Sequence, residues 1–315
     1  MLLGRYAASI PQVIDHRMDS VQYVGTTKRG TKVSVNSLLL DADFTLAIGN
    51  VEIHYFAGYT GGYKAVVPGL AGKDAIERNH SLMTLPNAEP GVIVSNPVRE
   101  DLEDAGRLTG LRYVVNVVLD EANRIVAAFA GDPIAAQRSA ANAADGLVKT
   151  RIAERADIVI ASAGGYPRDI NLYQAHKAIE NASHAVKPEG TIILVAECRE
   201  GFGNINFHEW TMEASDLEEI GRRLSRRFVL GGHKAFAISK IARRAEIIVV
   251  SDKMEETNPI LFRTCKNPQQ ALDNALRSHG SDASILLMPH AMNTLPTMSP
   301  GNERASNTLA SDSDY

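Results

Sequence analysis

Two histidines and a lysine stand around a run of glycines in GNVEIHYFAGYTGGYKAVVPGLAGKDAIERNH, residues 49–80. The imidazoles of His54 and His80 can move protons near neutral pH or bind a metal, and the Lys64 amine becomes a nucleophile when it is desolvated. Lys64 lies ten residues after His54, and His80 sixteen after Lys64. Gly58, Gly61, Gly62 and Gly69, with Thr60, let the backbone turn sharply and present N–H groups to a ligand, often a phosphate. The stretch is not a P-loop, which would need Gly at Tyr63 and Ser or Thr at Ala65, and it lacks the dinucleotide pattern GxGxxG. The glycines alone read equally well as a structural turn; the basic residues around them shift the balance toward chemistry. A second stretch, PRDINLYQAHK at 167–177, puts Gln174 and Lys177 three residues apart on one face of a helix. Such a pair suits a carboxylate or a solvated amphipathic face.

These residues need elements to hold them, and the hydrophobic pattern supplies short β-rich runs alternating with helical stretches. Strands are predicted at 12–14, 21–24, 44–48, 113–119, 125–129, 157–161, 191–196, 246–250 and 285–288. Helices are predicted at 74–80, 98–108, 133–151, 172–186, 215–226, 234–244 and 268–278. Several strands are unbroken apolar runs, as parallel strands covered on both faces should be, and their alternation with helices argues for βαβ units. The expected fold class is α/β, with two domains, each a mostly parallel sheet with flanking helices, and the active site in the cleft between them. The expected domains are 1–150, binding a cofactor, and 151–296, doubly wound and binding substrate. Residues 297–315, rich in Ser, Asn, Asp and Gly, read as a disordered tail. His54 falls just beyond strand 44–48, at the carboxyl end, where open α/β sheets place ligands.

Composition narrows the function classes. The chain has 315 residues, 44% of them hydrophobic and 22% charged, so it can build real cores. A net charge of −4 without a Lys/Arg block gives no nucleic-acid or anionic-membrane footprint. Cys198 and Cys265 are the two cysteines, too few for a disulfide framework or a cysteine zinc site, and their usage fits a reducing cytosol. No apolar run approaches the roughly 18–20 residues that span a bilayer, and the start, MLLGRYAASIPQVID, lacks a sustained apolar signal segment. The expectation is a soluble cytoplasmic α/β protein.

The glycine-rich block, from His54-Tyr55-Phe56-Ala57-Gly58-Tyr59-Thr60-Gly61-Gly62 through Lys64, Pro68-Gly69 and Asn79-His80, resembles the signature of the nickel-dependent lactate racemase family. The 167–177 block and Glu197–Gly203 (ECREGFG) support the resemblance, and Tyr23–Thr27, Gly30, Asn36 and Asn96-Pro97 agree more weakly. It covers about residues 10–290. The resemblance implies a 2-hydroxy-acid racemase or epimerase working by proton-coupled hydride transfer. Lys64 would be joined through a thioamide to pyridinium-3,5-bisthiocarboxylic acid mononucleotide, a pincer holding nickel, and His80 would ligate that nickel. Gly58, Thr60, Gly61 and Gly62 would cradle the cofactor, and His54 would be an acid/base group at the substrate hydroxyl. Tyr173, Gln174 and Lys177 would hold the substrate carboxylate. Enzymes that build the cofactor would be partners.

The sequence also departs from the family pattern, which places an arginine, an aspartate and a second acid/base histidine ahead of the point where this chain begins. His16 reads as a strand-end residue, not as a substitute. Two rival readings follow: a truncated homologue that keeps nickel and cofactor without turnover, and a zinc hydrolase using His54 and His80, which lacks a third ligand of the HExxH kind. His176 reads as turned about 100° from Lys177 on the helix. Gly231-Gly232-His233-Lys234 reads as a simple helix start that could help shape the substrate pocket. Trp210 is assigned no function.

Overall fold

The computed structural model describes residues 12–120, 122–254, 258 and 260–299. The chain divides into two compact units, Met1–Leu119 with Asn123–Ala141, and Asp120–Ala122 with Asn142–Tyr315, so the division falls inside a helix ahead of residue 150.

The first unit opens with β1 (Val21–Thr26) and β2 (Lys32–Asn36), an antiparallel pair whose buried Val33 and Val35 alternate with more exposed neighbours. A short α1 (Ser37–Leu40) leads to β3 (Leu46–Asn50), and then to the two-residue strands β4 (Ile53–His54) and β5 (Gly58–Tyr59), paired antiparallel. Next come α2 (Lys73–Ser81) and α3 (Pro97–Arg107), the latter started by Asn96 as side-chain cap with proline in the first turn. β6 (Tyr113–Leu119) runs parallel to β3 and antiparallel to β7 (Ile125–Gly131). It turns Val114, Asn116 and Val118 inward. Leu46, Ile48 and Tyr113 are exposed. α4 (Pro133–Val148) follows, its first amides capped by Asp132.

In the second unit, β8 (Lys149–Ile152) pairs with the last strand, β14 (Leu295–Met298). Between them lie β9 (Ala156–Ser162), α5 (Leu172–Ala182), β10 (Val186–Val195), α6 (Ile205–Glu213), α7 (Leu217–Arg226), α8 (Gly232–Ala242), β11 (Glu246–Val250), β12 (Arg263–Cys265), α9 (Pro268–His279) and β13 (Ile285–Met288). The sheet has the order β12-β11-β10-β9-β13 and is parallel throughout. Val159, Ala161, Ile192, Leu194, Ile247 and Val249 face one way, against α5 and α8. Ile158, Ile193, Ile248 and Val250 face α9 through Ala271 and Ala275. Both faces are covered, which is why these strands read as unbroken apolar runs. The strand order reverses beside β9, and α5 begins beyond the carboxyl end of that strand, where such folds place ligands.

The α/β expectation holds in both units, with four local corrections. Residues 12–14 form no strand. The helix predicted over 133–151 stops at Val148, because Lys149–Ile152 finds a distant partner in β14. The helix predicted over 172–186 stops at Ala182, and Val186 instead pairs with Ala156 at the start of β10. Thr297 and Met298, placed in the disordered tail, belong to β14, and the Ser299 amide donates to the Ile152 carbonyl; residues 300–315 of that predicted tail lie outside the described residues. Among the described residues no helix is long and apolar enough to cross a membrane.

Candidate active site

The β4–β5 hairpin brings the first predicted group into place. His54 is half-buried at the end of β4 and pairs with Gly58, and its Nδ1 accepts from the Ala57 amide at 3.3 Å. Its ring stacks on Tyr55 at 5.1 Å and meets the Phe56 ring edge-on at 4.5 Å. Phe56, 2% exposed, meets the ring of His80 at 5.0 Å. One buried phenylalanine therefore carries both histidines that the sequence singled out. His80 lies near the end of α2 and is 8% exposed.

Lys64, half-buried, sits in the 3₁₀ turn Gly62–Ala65, with its amide donating to the Gly61 carbonyl at 3.2 Å. The turn is pinned from β6, where the Asn116 side chain accepts from the Gly62 amide at 3.0 Å. Thr60 is occupied with its own chain: its hydroxyl donates to the Asn50 carbonyl and accepts from the Glu52 amide. Three predicted cradle glycines have structural work to do. They have positive φ, and a Cβ would lie 2.1 Å from the Val92 carbonyl at Gly58, 2.5 Å from the Val51 side chain at Gly61, and 2.8 Å from the Pro133 carbonyl at Gly62. Only glycine allows such approaches.

Sequence reading missed the brace behind this loop. Arg99 on α3 is fully buried and donates to the carbonyls of Ala57, Tyr59 and Gly61. Burial pulls its guanidinium down to about 10 against the pull of Glu103 beside it, and Glu103 also pairs with Arg138 at 2.8 Å. Asn96 caps α3 with its oxygen while its amide donates to the Phe56 and Val92 carbonyls. One turn on, the buried Asp101 carboxylate accepts from Thr27, Thr31 and Asn79, and so ties α2 next to His80. The sequence reading did not single out Arg99; the detectable hint was the Asn96-Pro97 cap that fixes where α3 starts.

Tyr173, Gln174 and Lys177 belong to the second unit, all half-buried on the first turns of α5. Asn171 caps the helix by accepting from the Gln174 amide, and its own amide donates to Glu200. Around them lies a buried basic cluster that the sequence reading left as an ordinary helix start. His176, 0% exposed, bonds through Nδ1 to the Tyr173 carbonyl, and Lys234, 5% exposed, approaches both. Burial pushes the Tyr173 phenol up and holds His176, His233 and Lys234 low, His233 at about 3. Half-buried Glu180 is pushed up to about 7 by burial.

Among the described residues no group of three or more His, Cys, Asp or Glu could hold a metal ion. Outside such a cluster, His80 carries an imidazole of the kind that ligates transition metals and Lys64 an amine of the kind that can be joined to an organic group.

Residues 2–91 match the family of the lactate racemase N-terminal domain, and residues 152–295 that of the lactate racemase C-terminal domain. Two relatives are the lactate racemases of Thermoanaerobacterium thermosaccharolyticum, 31% identical over 285 residues, and of Lactiplantibacillus plantarum, 30% identical over 285. Each match spans 88% of this chain and 67% of the relative. The lactate racemase apoprotein structure from the first organism superposes with a TM-score of 0.87 at 30% identity, covering 93% of this chain and 73% of that one. A Thermotoga maritima protein shares the fold alone, with a TM-score of 0.69 at 16% identity, over 91% of this chain and 78% of the other. Fold and matches together define the class as a two-domain α/β isomerase of the racemase kind. The chain belongs to the lactate racemase family.

Proposed function

We propose that this chain inverts the configuration of a 2-hydroxy acid at the carbon bearing the hydroxyl, as a cytoplasmic enzyme, with lactate, the acid its relatives are named for, as the first substrate to test. The carrying observation is the single Phe56 ring that seats His54 and His80 beside the Arg99-braced turn of Lys64. Lys64 provides the attachment amine for pyridinium-3,5-bisthiocarboxylic acid mononucleotide, and His80 provides the protein's ligand to its nickel. When bound, that group supplies a two-electron acceptor and donor at the carbinol carbon. His54 takes the hydroxyl proton and returns it; its Nδ1 accepts from the Ala57 amide, which fixes the ring. Lys177 offers charge to the substrate carboxylate and Gln174 an amide donor, at a helix N-terminus that favours anions. The chain depends on the enzymes that build the cofactor.

Co-expression with those enzymes in nickel-containing medium tests the assignment. Intact mass should show an adduct that maps to Lys64, absent in Lys64→Ala, and the purified protein should interconvert D- and L-lactate. His80→Ala should keep the adduct and lose nickel. An adduct on another lysine, or unchanged nickel in His80→Ala, overturns these roles.

A further inference from the structure

Gly231 and Gly232 do more than open α8. A Cβ on Gly231 would lie 2.1 Å from the Asn204 side chain, and one on Gly232 2.6 Å from the Trp210 ring. The two glycines let the first turn of α8 settle against α6, which carries Trp210, and the next two residues are driven inward. His233, 3% exposed, has Nδ1 accepting from the Gly231 amide and its ring stacked on Phe228 at 5.4 Å. Lys234 reaches α5: its Nζ donates to the Tyr173 carbonyl and lies 3.4 Å from the centroid of the Tyr173 ring. His176 Nδ1 is 3.4 Å from the same nitrogen.

Burying a lysine amine is costly, and a leucine or methionine would fill the volume without that cost. What a lysine adds is direction. A carbonyl bond and a cation–π contact to the same residue fix both the backbone and the ring of Tyr173. Tyr173 immediately precedes Gln174 and lies one helical turn before Lys177, so its position sets theirs.

We propose that Lys234 is a positioning residue for the carboxylate subsite, holding Tyr173 so that the first turn of α5 presents Gln174 and Lys177 in a fixed direction. The inference rests on the proposed role of Tyr173, Gln174 and Lys177 in binding the hydroxy acid. Lys234→Met keeps the stem and removes the donor; Lys234→Gln keeps an N–H donor. Both are to be compared with wild type and Lys177→Ala in the cofactor-loaded full chain. The measurements are KM and kcat for L-lactate, thermal unfolding, and the NMR signals of ring-labelled tyrosine.

Lys234→Met should raise KM about tenfold, the loss of one buried hydrogen bond, with a smaller change in kcat. It should also shift the Tyr173 ring signal while thermal unfolding stays within a few degrees of wild type. Lys234→Gln should recover most of the KM. An unchanged KM and ring signal in Lys234→Met overturn the inference, as does an equal loss in both variants that simply follows lost thermal stability. If Lys177→Ala also leaves KM unchanged, the subsite reading itself fails, and the inference falls with it.

Discussion

Replacing Arg99 by methionine should unlatch the loop that carries Phe56 and the turn that carries Lys64. The guanidinium serves three carbonyls, of which Ala57 and Tyr59 belong to residues at most 1% exposed. Charge-assisted hydrogen bonds contribute about 1.5–3 kcal/mol each, while the Ala57 and Gly61 carbonyls keep the Tyr59 and Lys64 amides as donors. Against that stands relief from keeping a charge buried. A guanidinium pulled down to about 10 by burial carries an unfavourable contribution of about 3 kcal/mol. Glu103 is not stranded, since Arg138 still pairs with it at 2.8 Å. The lost bonds win, and Arg99→Met should destabilise the first unit by about 2–4 kcal/mol. Denaturant unfolding gives the magnitude, and amide hydrogen exchange locates it: the Tyr59 and Thr60 amides, bonded to the Ala57 and Glu52 carbonyls, should exchange faster. A loss under about 0.5 kcal/mol with unchanged exchange at these amides would refute the brace.

Gly58→Ala forces a Cβ into φ +74° and to within 2.1 Å of the Val92 carbonyl, so it should cost more than about 2 kcal/mol by denaturant unfolding; a loss below about 1 kcal/mol would show that the loop relaxes. Acidification should weaken the second unit between pH 6.5 and 4. His176, His184 and His233 are held neutral by burial, His184 at about 4 and His233 at about 3, whereas the unfolded chain takes up protons below about 6.5. Glu180 runs the other way: with its folded carboxyl at about 7, stability rises as pH falls from 7 toward the ordinary 4.5. His184 and His233 against Glu180 leave a net loss on the order of 3 kcal/mol by pH 4, and His176 acts in the same direction. A flat profile of unfolding midpoint between pH 6.5 and 4 would contradict it.

Residue type and spacing alone picked out His54, Lys64 and His80, because glycines beside basic groups are informative locally. The resemblance, not periodicity, attached roles to them and to Tyr173, Gln174 and Lys177. The unbroken apolar strands of the second unit were equally legible, since burial on both faces leaves its mark on every residue of a strand. The short strands β4 and β5 were not, because two residues carry no period. Nor was the end of α4 or α5, where pairing with β14 and with Ala156 overrides local helix preference.

The sequence by itself determined the α/β class, the alternation of strands and helices in the second unit, and which side chains of the glycine-rich block could do chemistry. Tertiary structure alone decided how those side chains are held. Arg99 and Lys234 became buried anchors because carbonyls of Ala57, Tyr59, Gly61 and Tyr173, distant along the chain, ended within reach of them. Phe56, in sequence one residue of the glycine-rich block, proved to be the seat of both histidines. The reason is physical. Hydrophobic period and turn chemistry act between near neighbours and are written along the chain, whereas the partner of a buried charge is fixed only when packing has removed water and left one geometry able to satisfy it.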